Sequence, residues 1–112
     1  MLYNIGQLEF LFADDPDFLK EVVRQFIEDV LAAAADITKA YTAGDFEQEK
    51  YHLHRIKSPV NNFGVLKVAA IVDALEESAN EPVTSTEHTR LIGELHVELA
   101  AVINELKENH SL

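Results

Sequence analysis

The side chains best suited to chemistry lie in the segment from residue 50 to residue 67, which contains no aspartate or glutamate. The chain as a whole has a formal charge of -11, yet this segment holds four of its nine basic residues, together with His52 and His54. A basic segment on an acidic chain can attract a small anion or a phosphorylated partner, or it can simply balance charge between helices. The basic residues are Lys50, Arg55, Lys57 and Lys67.

His54 is predicted to point away from the protein core. The apolar residues around it recur at helical spacing and fall on one side of a helix: Leu53, Ile56, Val60 and Phe63. His54 falls on the opposite side, facing water. Polar residues one or two turns away share its face: Lys50, Lys57, Ser58 and Asn61.

This arrangement suits a phosphoryl acceptor. A solvated imidazole is mostly uncharged at neutral pH, and its free ring nitrogen can attack phosphorus to form a covalent intermediate. Lys57 would offset the added negative charge, and Ser58 or Asn61 would donate hydrogen bonds to the phosphoryl oxygens. The alternative is that His54 is an ordinary surface histidine.

Helices must position these residues, because apolar residues recur at helical spacing and no strand-like alternation occurs. Five helices are predicted. The first runs from about Asn4 to Phe12, the second from Pro16, with Asp15 as its cap, to near Gly44, and the third from its cap Asp45 to near Gly64. The fourth runs from Leu66 to Ala79 and is broken by residues 80–82, and the last runs from a capping box at Thr84 and Glu87 through Leu106. The residues predicted to face the core outside the third helix are Leu19, Val22, Phe26, Val30, Ala33, Ile37, Tyr41, Val68, Val72, Leu75, Leu91, Leu95, Leu99, Val102 and Leu106. Because short connections suit antiparallel neighbours, we expect an all-α, up-down antiparallel four-helix bundle with a short extra N-terminal helix, formed by residues 1–112 as a single domain.

Composition excludes several classes of function. The absence of cysteine rules out a disulfide scaffold, a cysteine zinc site and a thiol nucleophile. The acidic charge argues against nucleic-acid and membrane binding. No apolar run is long enough to span a membrane and no signal peptide is recognisable, so we expect a cytoplasmic protein.

His52 and His54 are two residues apart on a helix and cannot share a metal ion. The chain lacks a Gly-rich phosphate loop and is too short for a kinase of its own.

The residues around His54 resemble those of the histidine-containing phosphotransfer (HPt) domains of multistep phosphorelays. The family motif is H-x-L-K-G with a second Gly ten positions after the His, and this chain has HRIKS followed by Gly64. The likeness continues through DDPDFLKEVVRQFIEDV, AGDFEQEKYHLHRIK and LKVAAIVDALEESA, over about the first 80 residues.

The resemblance implies that His54 is the phosphoacceptor, that Lys57 stabilises the phosphoryl group, and that Ser58 and Gly64 stand at the two glycine positions. It also implies a chain that carries phosphate between the aspartates of response-regulator receiver domains, downstream of a hybrid histidine kinase. Such a domain needs no cofactor, since the Mg²⁺ used in transfer belongs to the receiver, and it is a monomer. The receiver would dock near the first helix, at Leu11 and Phe12, and on Lys50 and Arg55; alternatively, Leu11 and Phe12 close the end of the bundle.

Two departures from the family motif leave alternatives open. Ser58 adds a side chain beside His54, and Pro59 removes a backbone donor and crowds the carbonyl of Arg55, so we expect a bend in the third helix. A degenerate HPt domain that docks a receiver without phosphotransfer would fit these changes. The segment from His54 to Val60 also resembles the H-box of sensor histidine kinases, a two-helix dimerisation domain, but that box has an acid where Arg55 stands.

Overall fold

The computed structural model describes residues 1–79 and 86–112 and contains five helices in these ranges. They are α1 (Gly6–Leu11), α2 (Pro16–Thr42), α3 (Phe46–Asn62), α4 (Leu66–Ala79) and α5 (Thr86–Asn109). The four long helices form a closed ring, in which α2 packs against α3, α3 against α4, α4 against α5, and α5 against α2. The predicted all-α bundle with a short leading helix is therefore confirmed. The described residues contain no helix that is both long and apolar enough to cross a membrane.

The helix starts and ends follow from local hydrogen bonds. Asp15 caps α2 by accepting the N–H of Phe18 at 3.1 Å, and Asp45 caps α3 by accepting the N–H of Gln48 at 3.2 Å, as predicted. The connections after α2 and α3 each contain a glycine in the left-handed region, with φ of +73° at Gly44. The predicted capping residue Thr84 and the predicted helix break at 80–82 lie outside the described residues.

The first helix is shorter than predicted, because its expected first residue has another role. The N–H of Asn4 donates to the carbonyl oxygen of Phe63 at 2.9 Å and so ties the N-terminal segment to the end of α3. The side-chain oxygen of Asn4 then accepts the N–H of Gly6 at 3.1 Å. Helix α1 begins only at Gly6 and ends at Leu11, with Phe12 as its C-terminal cap.

The core lies inside the ring of helices. The predicted core residues of α3, α4 and α5 are all buried, and the middle of α2 is buried as well. Leu19, Val22 and Tyr41 at the edges of α2 are half-buried rather than buried. Phe26 of α2 stacks on Phe63 with ring centroids 3.9 Å apart, which joins α2 to the end of α3.

Gly64 allows the close approach of the N-terminal segment. Its φ is +60°, and a Cβ atom there would lie 2.7 Å from the carbonyl oxygen of Asn4. We expect Gly64→Ala to lower the free energy of unfolding by about 1–3 kcal/mol, because the side chain is strained in the left-handed region and also displaces Asn4. Urea denaturation followed by circular dichroism measures this change.

Gly93→Ala is the matched control for this substitution. Gly93 lies inside α5, and a Cβ atom added there would meet no other atom within 4 Å. Alanine there should raise the stability by about 0.5–1 kcal/mol, since glycine is a poor residue for a helix interior. Equal stability of the wild-type protein and Gly64→Ala would contradict the packing role assigned to Gly64.

Candidate functional site

His54 lies at the midpoint of α3, with eight residues of the helix before it and eight after it. Its side chain is exposed, while Leu53 and Ile56 on the opposite face are fully buried. The prediction that His54 points outward is therefore confirmed. Within the described part of the chain its ring has no hydrogen-bond or ion-pair partner. The ring is thus available to an incoming group.

Lys57, one turn after His54, is engaged in a way that the sequence did not predict. Its ammonium group contacts the carboxylate of Glu76 closely, and Asp73 lies 3.7 Å away; both acids belong to α4. The hydrogen bond to Glu76 raises the pKa of Lys57 and outweighs the opposing effect of desolvation. Lys57 is therefore a cation held between α3 and α4 by carboxylates of the neighbouring helix.

Aspartate and glutamate residues of the neighbouring helices form ion pairs with most of the basic residues between positions 50 and 67. The Nη1 atom of Arg55 is 3.3 Å from Asp36 of α2, and the ammonium group of Lys67 is 3.1 Å from Glu98 of α5. Together with Lys57, three of the four basic residues thus balance charge between helices. Lys50 is exposed, and no ion pair involves it in residues 1–79 and 86–112.

His52 does not join His54 in a common site. It is half-buried, and its Nδ1 atom lies 2.9 Å from the Nη1 atom of Arg55. The exposed ring of Tyr51 packs edge-on against His52, with centroids 5.0 Å apart. Where the structure describes the chain, no group of three or more histidine, aspartate or glutamate residues is arranged to hold a metal ion.

Ser58 lies on the other side of His54 from Lys57, in an open groove of about 530 Å³ between α2 and α3. Small side chains leave this space open, with Ala32 and Ala33 on the α2 side. Helix α3 continues through Pro59 to Asn62, and the carbonyl of Pro59 accepts the N–H of Phe63 at 3.0 Å. The bend expected at Pro59 stays a prediction. The lining residues are Asp29, Ala32, Ala33, Arg55, Ile56, Ser58, Pro59 and Asn62.

The remaining predicted site residues are spread along the bundle. Asn61 is exposed, two turns after His54. Gly64 follows the end of α3, about 15 Å along the helix axis from His54, and its contact is with Asn4. Leu11 is 68% exposed, whereas Phe12 is half-buried with its ring centroid 4.7 Å from that of Phe18. The structure therefore does not bring Gly64 next to the imidazole.

A buried polar cluster near the start of α3 was not predicted from the sequence. Glu49 is fully buried, and its Oε2 atom lies 2.7 Å from the Nε2 atom of His88 on α5. The hydroxyl of Ser78 donates to the carbonyl of Leu75, and its oxygen also lies within hydrogen-bond distance of the Nδ1 atom of His88. His88 of α5 thus links Glu49 of α3 to Ser78 of α4 inside the bundle.

Comparison with known proteins agrees with this architecture. The chain superimposes on the crystal structure of histidine-containing phosphotransfer protein B (HptB) from Pseudomonas aeruginosa PAO1 with a TM-score of 0.84 and 23% sequence identity, covering 98% of this chain and 95% of that chain. This likeness shows a shared fold. A comparison with curated proteins gave no match. The family model of the Hpt domain matches residues 21–109, which include all of α3 and α4, and the chain therefore belongs to the Hpt domain family.

Proposed function

We propose that the chain is a phosphorelay intermediate that accepts a phosphoryl group on His54 from the aspartyl phosphate of one receiver domain and passes it to the aspartate of another. The observation that carries this proposal is the exposed ring of His54 at the midpoint of α3, which has no hydrogen-bond partner among the residues that the structure describes. Membership of the Hpt domain family supports the same reaction. A histidine kinase H-box fragment is disfavoured, because this single chain supplies all four helices of its bundle.

The transfer needs no change of oxidation state and no nucleotide. The lone pair of the unprotonated nitrogen of His54 attacks phosphorus, and the P–O bond to the receiver's aspartate breaks as its electron pair leaves on the carboxylate. The proton on the other ring nitrogen stays on the ring. In the second transfer the aspartate of another receiver attacks phosphorus, and the N–P bond electrons return to the imidazole.

The chain supplies the nucleophile and its placement, while the receiver supplies Mg²⁺ and most of the charge stabilisation. In this proposal Lys57 offsets charge on the phosphoryl group, and Ser58 and Asn61 line the space around it. Lys50 and Arg55 contribute to receiver docking. The upstream partner is a hybrid histidine kinase, and the relay operates in the cytoplasm with the chain as a monomer and without a cofactor or kinase activity of its own.

Transfer of a radioactive phosphoryl group from a receiver tests this proposal. A receiver domain of a hybrid kinase from the same genome is phosphorylated on its aspartate and mixed with the chain in the presence of Mg²⁺. We expect the label to move to the chain as an acid-labile, alkali-stable phosphohistidine, and to move again when a second receiver is added. A chain that takes up no label from any receiver with which it forms a complex would overturn the proposal.

The second candidate function is receiver docking without transfer. It is favoured by Ser58 and Pro59, which replace small residues of the family motif and lie in the groove beside His54. A side chain at Ser58 can keep the receiver's aspartate from reaching the imidazole. In the same experiment this candidate predicts a stable complex in which the label remains on the receiver.

A further inference from the structure

The ion pair between α3 and α4 bears directly on the phosphorylated state. Glu76 is the main partner of Lys57, and its side chain is 28% exposed against 67% for Asp73. Asp73 and Glu76 are three residues apart and so share one face of α4, which is the face toward Lys57. In the unphosphorylated protein the ammonium group of Lys57 therefore already neutralises part of the negative charge of two carboxylates.

Phosphorylation of His54 introduces a competitor for that ammonium group. A phosphoryl group adds a charge of about -1.5 to -2 at neutral pH. His54 and Lys57 are one helical turn apart, a spacing at which side chains interact. Lys57 would then lie between the phosphoryl group and the carboxylate of Glu76. Both are anions, and the electrostatic stabilisation that Lys57 gives to one of them is no longer available to the other.

We propose that Glu76, assisted by Asp73, is a positioning residue that holds Lys57 against α4 in the unphosphorylated protein and yields it to the phosphoryl group when His54 is phosphorylated. This inference rests on the proposed function. Glu76 thereby lowers the stability of the phosphohistidine. The phosphoryl group can contact Lys57 only if the ion pair between Lys57 and Glu76 is broken, and the loss of that ion pair offsets part of the gain. The ion pair keeps the phosphoryl group transferable, which is what an intermediate between two receivers requires.

The Glu76→Gln variant tests the competition, since glutamine preserves the size of the side chain and removes its charge. The chain is phosphorylated with phosphoramidate and observed by ³¹P NMR as a function of pH, with His54→Gln identifying the signal of the phosphorylated His54. We expect Glu76→Gln to lower the pKa of the phosphoryl group, because the released Lys57 stabilises its dianion. The lifetime of the phosphohistidine should increase by about two- to fivefold, the range of effects typical of exposed ion pairs.

Two further variants separate this competition from a general effect of charge. Asp73→Asn should act in the same direction but less strongly, because Asp73 is the more distant partner of Lys57. Glu77→Gln removes the same charge from an exposed neighbouring position and should leave both the lifetime and the phosphoryl pKa unchanged. An equal effect of Glu77→Gln and Glu76→Gln would overturn the inference.

A double-mutant cycle shows whether Glu76 acts through Lys57. In the Lys57→Gln background, Glu76→Gln should have no effect on the lifetime or on the phosphoryl pKa. An undiminished effect in that background would mean that Glu76 repels the phosphoryl group directly, and the inference would be wrong. Phosphohistidine that forms normally but does not respond to Glu76→Gln also overturns it, while leaving the proposed function intact. If the wild-type chain forms phosphohistidine neither from phosphoramidate nor from a receiver, both the inference and the proposed function are overturned.

Discussion

Replacement of His54 by glutamine is expected to abolish phosphoryl uptake from a receiver, down to the background of a chain that has no acceptor. Glutamine is polar and of similar size, but its amide nitrogen has no lone pair available for attack on phosphorus. Because the side chain at position 54 is exposed, the substitution should change the free energy of unfolding by no more than about 0.5 kcal/mol. The measurement is label transfer from a phosphorylated receiver, followed over time on a denaturing gel.

His52→Gln and His96→Gln are the matched controls for this loss. His52 is half-buried and contacts Arg55, and His96 on α5 shares a 2.6 Å hydrogen bond with Thr38. Both variants should still accept the label. The His54→Gln variant should also still bind the receiver, since it removes the nucleophile and leaves the helix surface in place. Label on His54→Gln at the wild-type level would assign the acceptor to another residue and refute the role given to His54.

Separation of the buried pair of Glu49 and His88 is expected to have the largest effect on stability. Glu49 is fully buried and His88 is 4% exposed, so the loss of either partner removes a 2.7 Å hydrogen bond between two polar groups inside the bundle. We expect Glu49→Leu and His88→Leu each to lower the free energy of unfolding by about 3–5 kcal/mol. For a chain of this size the midpoint of thermal unfolding should fall by about 10 °C or more.

The double variant Glu49→Leu/His88→Leu distinguishes the cost of a buried polar group that has lost a partner from a simple loss of contacts. It leaves neither polar group behind and fills the site with apolar groups, so we expect it to be more stable than either single variant. Ser78 retains its hydrogen bond to the carbonyl of Leu75 in all three variants. Glu47→Gln, at an exposed position in the same turn of α3, should change the stability by less than about 1 kcal/mol. Single variants as stable as Glu47→Gln would contradict a stabilising contact between Glu49 and His88.

The direction of His54 could be predicted from the sequence because it depends only on the periodicity of α3. Leu53, Ile56 and Val60 fix which side of the helix is buried, and the histidine must then point the other way. The helix caps at Asp15 and Asp45 were equally predictable, since a cap involves residues only three positions apart. These features need no knowledge of which helices are neighbours.

The partner of Lys57 could not be predicted in the same way. Its contact with Glu76 depends on how far α4 is shifted along α3 and how it is rotated, and the periodicity of each helix leaves both unspecified. The pair of Glu49 and His88 did leave a trace in the sequence. Glu49 lies four residues before Leu53 on the buried stripe of α3, and His88 lies seven before Leu95 on that of α5. A polar residue on the buried face of each of two helices indicates that the two polar residues contact each other in the core.

The central position of His54 on α3 determines how a globular partner can reach it. The turns at residues 43–45 and 63–65 lie beyond the two ends of the helix, each beginning about 13.5 Å along the axis from the histidine. A receiver approaching side-on would therefore meet the flanks of the helices before it met either turn. Changes in the turn at residues 43–45 would therefore leave the docking surface unaltered, and the turn at residues 63–65 is constrained by the contact of Gly64 with Asn4 and not by docking.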